Sequence, residues 1–381
     1  MGSKGINPNG FAHMKFLSKI LLLLLLVISV SCNLNEVFNP DSNTSDLKYG
    51  SDFSIMKLME DYGGVYKING IEKEGLQIFK ENGFTWARMR LFHSPAIKGQ
   101  VCNDLSYTLE LSRRAKNLGF KVLLDIVYSD KWADPGHQSI PEAWKDLRLD
   151  ILKDSVYLYT KNIIEVMSRA GLQPDMVQIG NDIGNGLMWP QGYLWEEGGN
   201  ANWDNLADLL KAGINGVRDA ANTKKIKIMI HAATAGQVGG SKKFYENIIS
   251  RGVEFDVIGI SYYPWWHGEI SQLENSIYWL TKNFKQELSV VETAYYSNGW
   301  YPESSDWVLI TKPYPPTEQG QYDYLSDLAA TLKLHPSVKT VFCWKPDELN
   351  IPESKVPYQG RSLFDPSGNA LKGIWAWKNS K

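Results

Sequence analysis

The chain has 381 residues, of which 40 are basic and 42 acidic, so its formal net charge is -2. A near-neutral chain gives no reason to expect nucleic acid or an anionic membrane surface as a partner. Aromatic residues make up 12% of the chain, with 14 Trp and 19 Tyr. Such rings pack in cores and also cover the C–H faces of sugars, so composition leaves both uses open.

The first 32 residues predict an N-terminal extension and export signal rather than part of the fold. Lys15 and Lys19 precede the apolar run Ile20–Val30, which is too short for a membrane-spanning helix of roughly 20 residues. A basic start, a short apolar core and small residues are typical of a secretory signal. The segment Ser29–Cys32 resembles a lipobox, so we expect Cys32 to be lipidated. An ordinary cleaved signal with an incidental cysteine is the alternative.

The remaining chain divides into a tether and one long domain. Residues 33–47 are polar and predict a flexible tether, and residues 48–381 form the predicted domain. Met14 is an alternative start, which would make residues 1–13 an upstream extension. We expect an exported monomer at the outer surface of the cell envelope, with a lipid anchor as its only contact with the membrane.

From residue 48 onward, short apolar runs alternate with stretches of helical periodicity. The predicted strands are Ser51–Ile55, Thr85–Phe92, Lys121–Val127, Met176–Asn181, Lys225–His231, Asp256–Tyr262, Leu288–Glu292 and Lys339–Trp344. The predicted helices are Ile71–Asn82, Leu105–Leu118, Asp150–Ala170, Trp203–Ala221, Lys242–Ser250 and Gly320–Leu334. Gly83 and Gly119 follow the first two helices, as is common at helix C-termini.

This alternation favours an α/β fold with a single (β/α)8 TIM barrel. A doubly wound open sheet is the alternative. It would require a Gly-rich phosphate loop after the first strand, and residues 51–64 contain none. In a barrel, the chemistry lies at the C-terminal ends of the strands.

Polar and aromatic side chains follow the predicted strands. They are Arg90 and His93 after the second strand, Tyr128, Asp130 and Trp132 after the third, Asn181 and Asp182 after the fourth, His231 after the fifth, Tyr262, Trp266 and His267 after the sixth, Glu292 after the seventh and Trp344 after the eighth. Because strand ends converge on one rim, we expect these residues, with Trp189, to surround a sugar-binding cleft.

Asp182 and Glu292 are the carboxylates that could meet across the barrel mouth. A retaining glycosidase uses a nucleophile and an acid/base about 5–5.5 Å apart. Glu292 follows an apolar strand that holds it rigidly, so we assign it as the nucleophile, kept ionised by Arg90. We expect Asn181 to hydrogen-bond the sugar 2-hydroxyl. An ordinary salt bridge between Glu292 and Arg90 is the alternative.

The sequence indicates neither a metal site nor a disulfide. His231 and His267 lack a His-x-x-x-His pattern or a carboxylate partner at ligand spacing, so sugar hydrogen bonding is the preferred role. Residues 297–320 lack an Asp-x-Asp-x-Asp run, so calcium is unsupported. Cys102 and Cys343 are far apart in the sequence and are expected to be free, packed thiols. We expect no metal and no cofactor.

Several segments resemble the endo-β-1,4-galactanases of glycoside hydrolase family 53, over about residues 48–377. They are Tyr128–Gly136, Asn185–Pro190, Phe255–Gly259, Ser261–Pro264, Trp266–Gly268, Val291–Tyr295 and Leu363–Asp365. The resemblance implies a retaining barrel hydrolase that cleaves β-1,4-galactan in arabinogalactan side chains of pectin. It also implies a nucleophile at Glu292, an acid/base at Asp182 and an arginine beside the nucleophile at Arg90.

The chain departs from the family pattern at the rim. The acid/base is usually Glu, and Asp182 is one methylene shorter, roughly 1.5 Å. Val127 stands where the family has His, and Lys345 replaces the Glu of a Trp-Glu-Pro motif. Phe92–Pro95 replaces Trp-Asn-Asp-Pro, and Ala232–Thr234 lacks an Asp-Asn pair. Two alternatives therefore stay open: a catalytically impaired glycan-binding lipoprotein, and a hydrolase of altered specificity.

Overall fold

The computed structural model describes Gly2 and residues 46–194, 202–221, 225–236, 238–298 and 314–379. Apart from Gly2, the predicted extension and signal with Cys32 lie outside these residues, and so do residues 33–45 of the predicted tether. Within the described ranges, no helix is long and apolar enough to cross a membrane.

Eight parallel strands close into a barrel in which each strand pairs with the barrel strands that precede and follow it in the sequence. The strands are β1 (Lys48–Asp52), β2 (Trp86–Leu91), β3 (Lys121–Ile126), β4 (Met176–Ile179), β5 (Lys227–Ala232), β6 (Val257–Ser261), β7 (Glu287–Thr293) and β8 (Val338–Cys343). The barrel closes because β1 pairs with both β2 and β8. The predicted single (β/α)8 barrel is confirmed, and the open-sheet alternative is wrong.

Helices surround the barrel. They are α1 (Met56–Asp61), α2 (Gly75–Glu81), α3 (Leu105–Asn117), α4 (Leu149–Arg169), α5 (Trp203–Ala220), α6 (Val238–Ser250), α7 (Pro264–His267), α8 (Ile270–Asn283), α9 (Glu318–Lys333) and α10 (Ala376–Asn379). Short 3-10 helices lie at Glu142–Trp144, Ile183–Asn185, Pro352–Ser354 and Lys372–Trp375. Two small hairpins pair Lys67–Ile68 with Ile71–Glu72 and Gly186–Leu187 with Gly192–Tyr193.

Several predicted element bounds need correction. Strand β1 begins at Lys48 rather than Ser51, and helix α6 begins at Val238 rather than Lys242. Strand β1 ends at Asp52 rather than Ile55, because the apolar residues that follow it pack in the helix layer instead of extending the strand. Helix α2 begins at Gly75 rather than Ile71, because Ile71 pairs with Ile68 in a hairpin. In the segments of β1 and α2, the pattern of apolar residues did not show where a barrel strand ends or where a surrounding helix begins.

Helix ends and helix faces follow simple sequence rules. Gly83 and Gly119 follow α2 and α3 with φ of 93° and 76°, a left-handed conformation that glycine adopts without strain. Helix α8 was not predicted, although Leu273, Ile277 and Leu280 are buried at helical spacing.

The barrel interior changes from apolar to polar along its strands. The apolar layer consists of Trp86, Leu123, Met176, Met229, Val257, Val291 and Phe342. Two residues further along three of these strands, the buried side chains are Arg88, Asp125 and Gln178. This polar layer lies toward the C-terminal ends of the strands and forms the base of the site described next. Cys102 and Cys343 are buried and free, which confirms their prediction as packed thiols.

Candidate active site

A buried arginine organises the polar layer of the barrel. Arg88 lies on β2 and donates through Nη1 to Asp52 Oδ2 (2.9 Å) and Glu292 Oε1 (2.8 Å). Through Nη2 it donates to Asp125 Oδ2 (2.8 Å) and Asn181 Oδ1 (2.7 Å). A buried cation needs such partners, and in return it fixes carboxylates from β1, β3 and β7 in one layer.

Glu292 points into the barrel because of an irregularity in β7. Val291 belongs to the apolar layer inside the barrel, so strict alternation would turn the next side chain outward. The pairing of β7 with β8 instead shifts register between Val290 and Thr293, and the pairing with β6 shifts at the same place. Such bulges re-aim side chains beside active sites. Glu292 Oε2 then accepts a hydrogen bond from the Tyr263 hydroxyl (2.9 Å).

Asp182 lies just beyond β4 and faces Glu292. Its backbone is left-handed, with φ of 50° and ψ of 46°, a conformation that Asp tolerates better than most residues. Its Oδ1 lies 3.0 Å from His231 Nε2 and accepts from Ser261 Oγ (3.2 Å). Side-chain atoms of Asp182, His231 and Glu292 all lie within 4.8 Å of one another. The two carboxyl groups therefore share one small, buried space.

Asp182, His231 and Glu292 also lie close enough together to hold a metal ion. They are the one group of three such residues among those that the structure describes. Their atoms already have hydrogen-bond partners within the protein. His231 Nε2 lies 2.8 Å from Ser261 Oγ, and Arg88 donates to Glu292. A carboxyl pair that is hydrogen-bonded in this way is suited to proton transfer.

Burial and neighbouring charges give the two carboxyl groups different pKa values. Burial raises the pKa of Glu292 to about 7, which Arg88 opposes and the charge of Asp182 reinforces. Burial also disfavours ionised Asp182, but His231, Arg88 and Ser261 outweigh it, so the pKa of Asp182 lies below its usual value. Two neighbouring carboxylates resist ionising together. Below about pH 7, the proton of the pair therefore resides on Glu292 rather than on Asp182.

The prediction that Arg90 pairs with Glu292 is wrong, because Arg88 makes this contact. Alternate residues of a strand share a face, so both arginines enter the barrel at different depths. Arg90 Nε lies 3.4 Å from Asp52 Oδ2, and its guanidinium carbon lies 4.9 Å from the centroid of the Trp344 ring. Arg90 therefore lies beneath an aromatic side chain rather than beside the carboxyl pair.

A cleft of about 450 Å³ lies over the carboxyl pair. It is lined by Gln100, Trp132, Asp134, Pro135, Asp182, Tyr263, Trp266, Glu292, Trp344, Lys345, Gln359 and Arg361. Trp266 is 56% exposed, whereas Trp344 is only 5% exposed, so aromatic surface extends from the floor of the cleft to its rim. Rings in this arrangement can cover the apolar faces of sugars, while nearby polar groups reach the hydroxyls.

Most of the predicted site residues lie in or beside this cleft. Trp132, Trp266 and Trp344 line it. Asn181 lies beneath it and donates from Nδ2 to the carbonyl oxygen of residue 133 (3.0 Å). His231 lies against Asp182, as described above.

Tyr128 and Tyr262 do not reach the cleft, contrary to prediction. The Tyr128 backbone is left-handed (φ 54°), and its hydroxyl lies 2.6 Å from Thr160 Oγ1 on α4. The Tyr262 hydroxyl donates to the carbonyl oxygen of Gly268 (2.9 Å). Both rings are buried in the layer between strands and helices, where neighbouring backbone turns them away from the mouth. The next residue, Tyr263, faces the site instead.

Asp130, Trp189 and His267 make contacts within the protein. Asp130 accepts two backbone N–H groups of neighbouring loops, each at 2.8 Å. Trp189 Nε1 donates to the carbonyl oxygen of Asn185 (3.1 Å), and the ring does not line the cleft. His267 Nδ1 accepts from the N–H of Tyr263 (2.9 Å), and burial lowers the pKa of His267 to about 4. These residues shape the loops around the cleft.

Several buried residues of the site were not assigned a role from the sequence. They are Asp52, Arg88, Asp125, Gln178, Ser261 and Tyr263. The alternation Arg88–Met89–Arg90 already signalled two inward cations, and the pair of tyrosines after β6 signalled that one of them faces inward. Neither pattern tells which member of the pair meets a carboxylate.

A closed (β/α)8 barrel with two facing carboxyl groups under an aromatic cleft is the arrangement of a glycoside hydrolase. Residues 48–376 match the model described as Glycosyl hydrolase family 53, and the chain belongs to this family. An arabinogalactan endo-β-1,4-galactanase of Thermothelomyces thermophilus is 31% identical, over 85% of this chain and 97% of that protein. One of Emericella nidulans is 33% identical, over 78% and 84% respectively. The solved Ignisphaera aggregans GH53 catalytic domain superposes with a TM-score of 0.81 at 34% identity, covering 88% of this chain and 96% of that domain.

Proposed function

We propose that this glycoside hydrolase cleaves internal bonds of β-1,4-galactan, with Glu292 as nucleophile and Asp182 as acid/base. One observation carries the proposal: the two carboxyl groups approach within 4.8 Å beneath an aromatic cleft. Retaining glycosidases hold these groups about 5–5.5 Å apart, and inverting enzymes about 6.5–9.5 Å. The short separation favours retention through a glycosyl-enzyme intermediate. The galactanases among the relatives support galactan as the substrate.

In the first proposed step, Glu292 attacks the anomeric carbon while Asp182 donates its proton to the leaving oxygen. In the second, Asp182 takes a proton from water, which attacks the same carbon and releases Glu292. Arg88 and Tyr263 donate to Glu292 and stabilise the carboxylate that must attack. Asn181 has a second amide N–H besides the one bonded within the protein, and we assign it to the sugar 2-hydroxyl.

We further propose that Asp182 is a poor proton donor in this chain, because it is ionised in the resting protein. Its carboxyl is held by His231 and Ser261, and its pKa lies below the usual value. The first step needs a protonated Asp182 and an ionised Glu292, which is the reverse of the resting distribution described above. Substrate binding must therefore shift the proton from Glu292 to Asp182, and this shift adds to the barrier.

The experiment is release of reducing ends from β-1,4-galactan by the purified protein, with product sizes resolved by chromatography. We expect mixed oligosaccharides early in the reaction, and a first product with the β-anomeric configuration by NMR. The variant Glu292→Gln should lower kcat by about 10⁴-fold, whereas Glu287→Gln at the start of the same strand should leave it nearly unchanged. No reducing ends at high protein concentration, or an α-anomeric first product, would contradict the proposal.

The second candidate is a glycan-binding protein that has lost turnover. The short, ionised Asp182 favours it, because a cleft without a working acid still binds sugars. This candidate predicts that galactan oligosaccharides bind in calorimetry while the turnover assay stays silent. Detectable hydrolysis that is abolished by Glu292→Gln would exclude it.

We also propose that a lipid on Cys32 anchors the protein to the cell envelope. The support is the basic and apolar sequence before a cysteine that follows small residues. In cells that express the full chain, the protein should partition into detergent, and Cys32→Ser should move it to the aqueous phase. Cys102→Ser, at a buried thiol, is the matched control. Aqueous partition of the unmodified protein would contradict the anchor.

A further inference from the structure

Three cationic side chains meet at one part of the cleft, and they are named here the cationic patch: Arg90, Lys345 and Arg361. Lys345 and Arg361 line the cleft. Arg90 lies below them, with its guanidinium carbon 5.0 Å from the Trp132 ring centroid and 4.9 Å from that of Trp344. The Lys345 ammonium lies 5.6 and 5.8 Å from the same two rings. Positive charge and sugar-sized aromatic surface therefore occupy the same place.

The cationic patch is short of anionic partners. Lys345 is 4% exposed, yet its ammonium contacts the neutral amide oxygen of Gln100. Arg361 contacts another neutral amide, that of Gln359, and its Nε has no hydrogen-bond partner among the described residues. Both terminal nitrogens of Arg90 also lack partners there. Buried cations are ordinarily paired with carboxylates, because desolvated charge is costly.

The carboxyl groups near the cationic patch do not make up this shortage. Burial raises the pKa of Asp347 and of Glu348, which favours their neutral forms. Both carboxyl oxygens of Asp347, and Oε1 of Glu348, lack hydrogen-bond partners within the described ranges. Burial lowers the pKa of Lys345 to about 8. The charges of Arg361 and Arg90 also lower this pKa, whereas the charge of Glu348 raises it. Among the described residues, the hydrogen-bond partners of Lys345 and Arg361 are therefore neutral amides and not these carboxyl groups.

The other carboxylates of the cleft have partners of their own. Asp134 accepts from the N–H of Gly136 (2.8 Å) and lies 2.9 Å from His137 Nδ1. Asp182 and Glu292 are held by the contacts described for the carboxyl pair. The carboxylates that line the cleft thus have partners within the protein. In the cationic patch, by contrast, Lys345 and Arg361 contact neutral amides, and Arg90 reaches one carboxylate, Asp52, at 3.4 Å.

Lys345 follows Trp344 directly in the sequence and places an ammonium group in the lining of the cleft. An oxygen acceptor at this position suits a neutral sugar, because it can accept from hydroxyl groups. An ammonium in the same place suits a ligand that brings negative charge.

We propose that the cationic patch binds a sugar unit that carries an anionic group, either a uronate carboxylate or a sulfate ester. The Trp132 and Trp344 rings would cover the apolar face of this unit, while Lys345 and Arg361 bind its anion. Charge-assisted hydrogen bonds are stronger than neutral ones, and poor access of water increases the gain. The inference rests on the proposed function, because it concerns one unit of the glycan bound in the same cleft.

The test compares three tetrasaccharides by calorimetry in the Glu292→Gln background, which prevents turnover. They are β-1,4-galactotetraose, the same compound with C6 of its non-reducing galactose oxidised to a carboxylate, and the same compound with a 6-sulfate. We expect at least one acidic ligand to bind about tenfold more tightly than the neutral one, as hydrogen bonds to charged groups allow. The preference should shrink in high salt. Which acidic ligand is preferred distinguishes the two sources of charge.

Lys345→Met in the same background should remove most of the preference, and Lys131→Met, at an exposed lysine on the rim, should retain it. Equal affinity for the three ligands, or tighter binding of the neutral one, would by itself overturn the inference, whatever the lysine variants show. A preference that survives Lys345→Met would overturn its assignment to the cationic patch. Because these measurements need no turnover, they decide the inference separately from the galactan hydrolysis assay, which decides the proposed function.

Discussion

Glu292 and Asp182 face each other within 4.8 Å, yet the chain holds them in different ways. Glu292 lies on a seven-residue strand, where a bulge aims it inward and two buried groups, Arg88 and Tyr263, donate to it. Asp182 lies beyond a four-residue strand, in left-handed backbone, and Oδ1 alone carries its contacts to His231 and Ser261.

Glu292 is thus positioned by the barrel strands, whereas Asp182 is positioned by the loop that follows β4. Glu292 is positioned by strand pairing and by a charge network that also stabilises the fold, so it resists change. Asp182 depends on one loop conformation and on a side chain of limited reach. In this chain, a change at Asp182 touches only its contacts with His231 and Ser261, whereas a change at Arg88 touches Asp52, Asp125 and Glu292 together.

The largest expected effect is the loss of stability when the buried arginine that holds Glu292 is removed. Arg88→Met leaves Asp52, Asp125 and Glu292 buried together without their shared cation, which should cost about 3–5 kcal/mol of unfolding free energy. Chemical denaturation monitored by fluorescence measures it. Arg90→Met is the matched control on the same strand. It should change stability by only about 1 kcal/mol, since Arg90 has one carboxylate contact, to Asp52 at 3.4 Å, and its terminal nitrogens have no hydrogen-bond partners among the described residues. Equal losses for both variants would contradict the distinction between the two arginines.

The second expected effect tests the Asp182 side. Asp182→Glu extends the carboxyl by one methylene toward the leaving oxygen, and a misplacement of about 1 Å can cost on the order of a hundredfold in rate. We expect kcat on galactan to rise about a hundredfold with little change in KM. Asp182→Asn, which keeps the length but cannot donate an acidic proton, is the control and should lower kcat. If Asp182→Glu brings no gain, the limit lies in the other departures, among which Val127 packs beside Trp132.

The third effect uses pH to separate the two carboxyl groups. The folded pKa of Glu292 is about 7, above roughly 4.3 for an unfolded Glu. The protonated form therefore stabilises the fold, fully so below the unfolded pKa, and this contribution is lost as pH rises through about 7. Glu292→Gln removes the titration, so its unfolding free energy relative to the parent should rise by about 2 kcal/mol between pH 5 and pH 8.

Asp182 provides the contrast for this pH experiment. Its folded pKa is lowered, so its ionised form stabilises the fold above the unfolded pKa, and the contribution is lost as pH falls through the folded pKa. Asp182→Asn should therefore be less stable than the parent at both pH 5 and pH 8, with the difference disappearing only in more acidic solution. Parallel pH profiles for the two variants would show that the carboxyl groups are not separated in this way.

The fold followed from the sequence because strands, helices and their glycine ends leave local signals, as at Gly83 and Gly119. That Asp182 and Glu292 would meet also followed, since strand ends converge in a barrel. The detailed partners did not. Alternation places both Arg88 and Arg90 inside the barrel, and their depth depends on the stagger of neighbouring strands. The bulge at Glu292 breaks the alternation itself, so no period-two pattern predicts its direction.

Two neighbouring tyrosines provide the smallest effect and the sharpest control. Tyr263 donates to Glu292 Oε2 and Tyr262 to the carbonyl oxygen of Gly268, each at 2.9 Å, and both rings are buried. Each loss of a hydroxyl removes one hydrogen bond and should cost about 1 kcal/mol of stability. Only Tyr263→Phe should also lower kcat, by about tenfold, because only Tyr263 stabilises the attacking carboxylate.

Steady-state kinetics and denaturation of Tyr263→Phe and Tyr262→Phe therefore give a two-by-two comparison. Similar stability losses with unequal kcat would place the Tyr263 hydroxyl in the reaction and confine Tyr262 to packing. Equal kcat in both variants would contradict the role of Tyr263. The reactivity of Glu292 would then depend on Arg88 alone, although both Arg88 and Tyr263 donate hydrogen bonds to its carboxyl group.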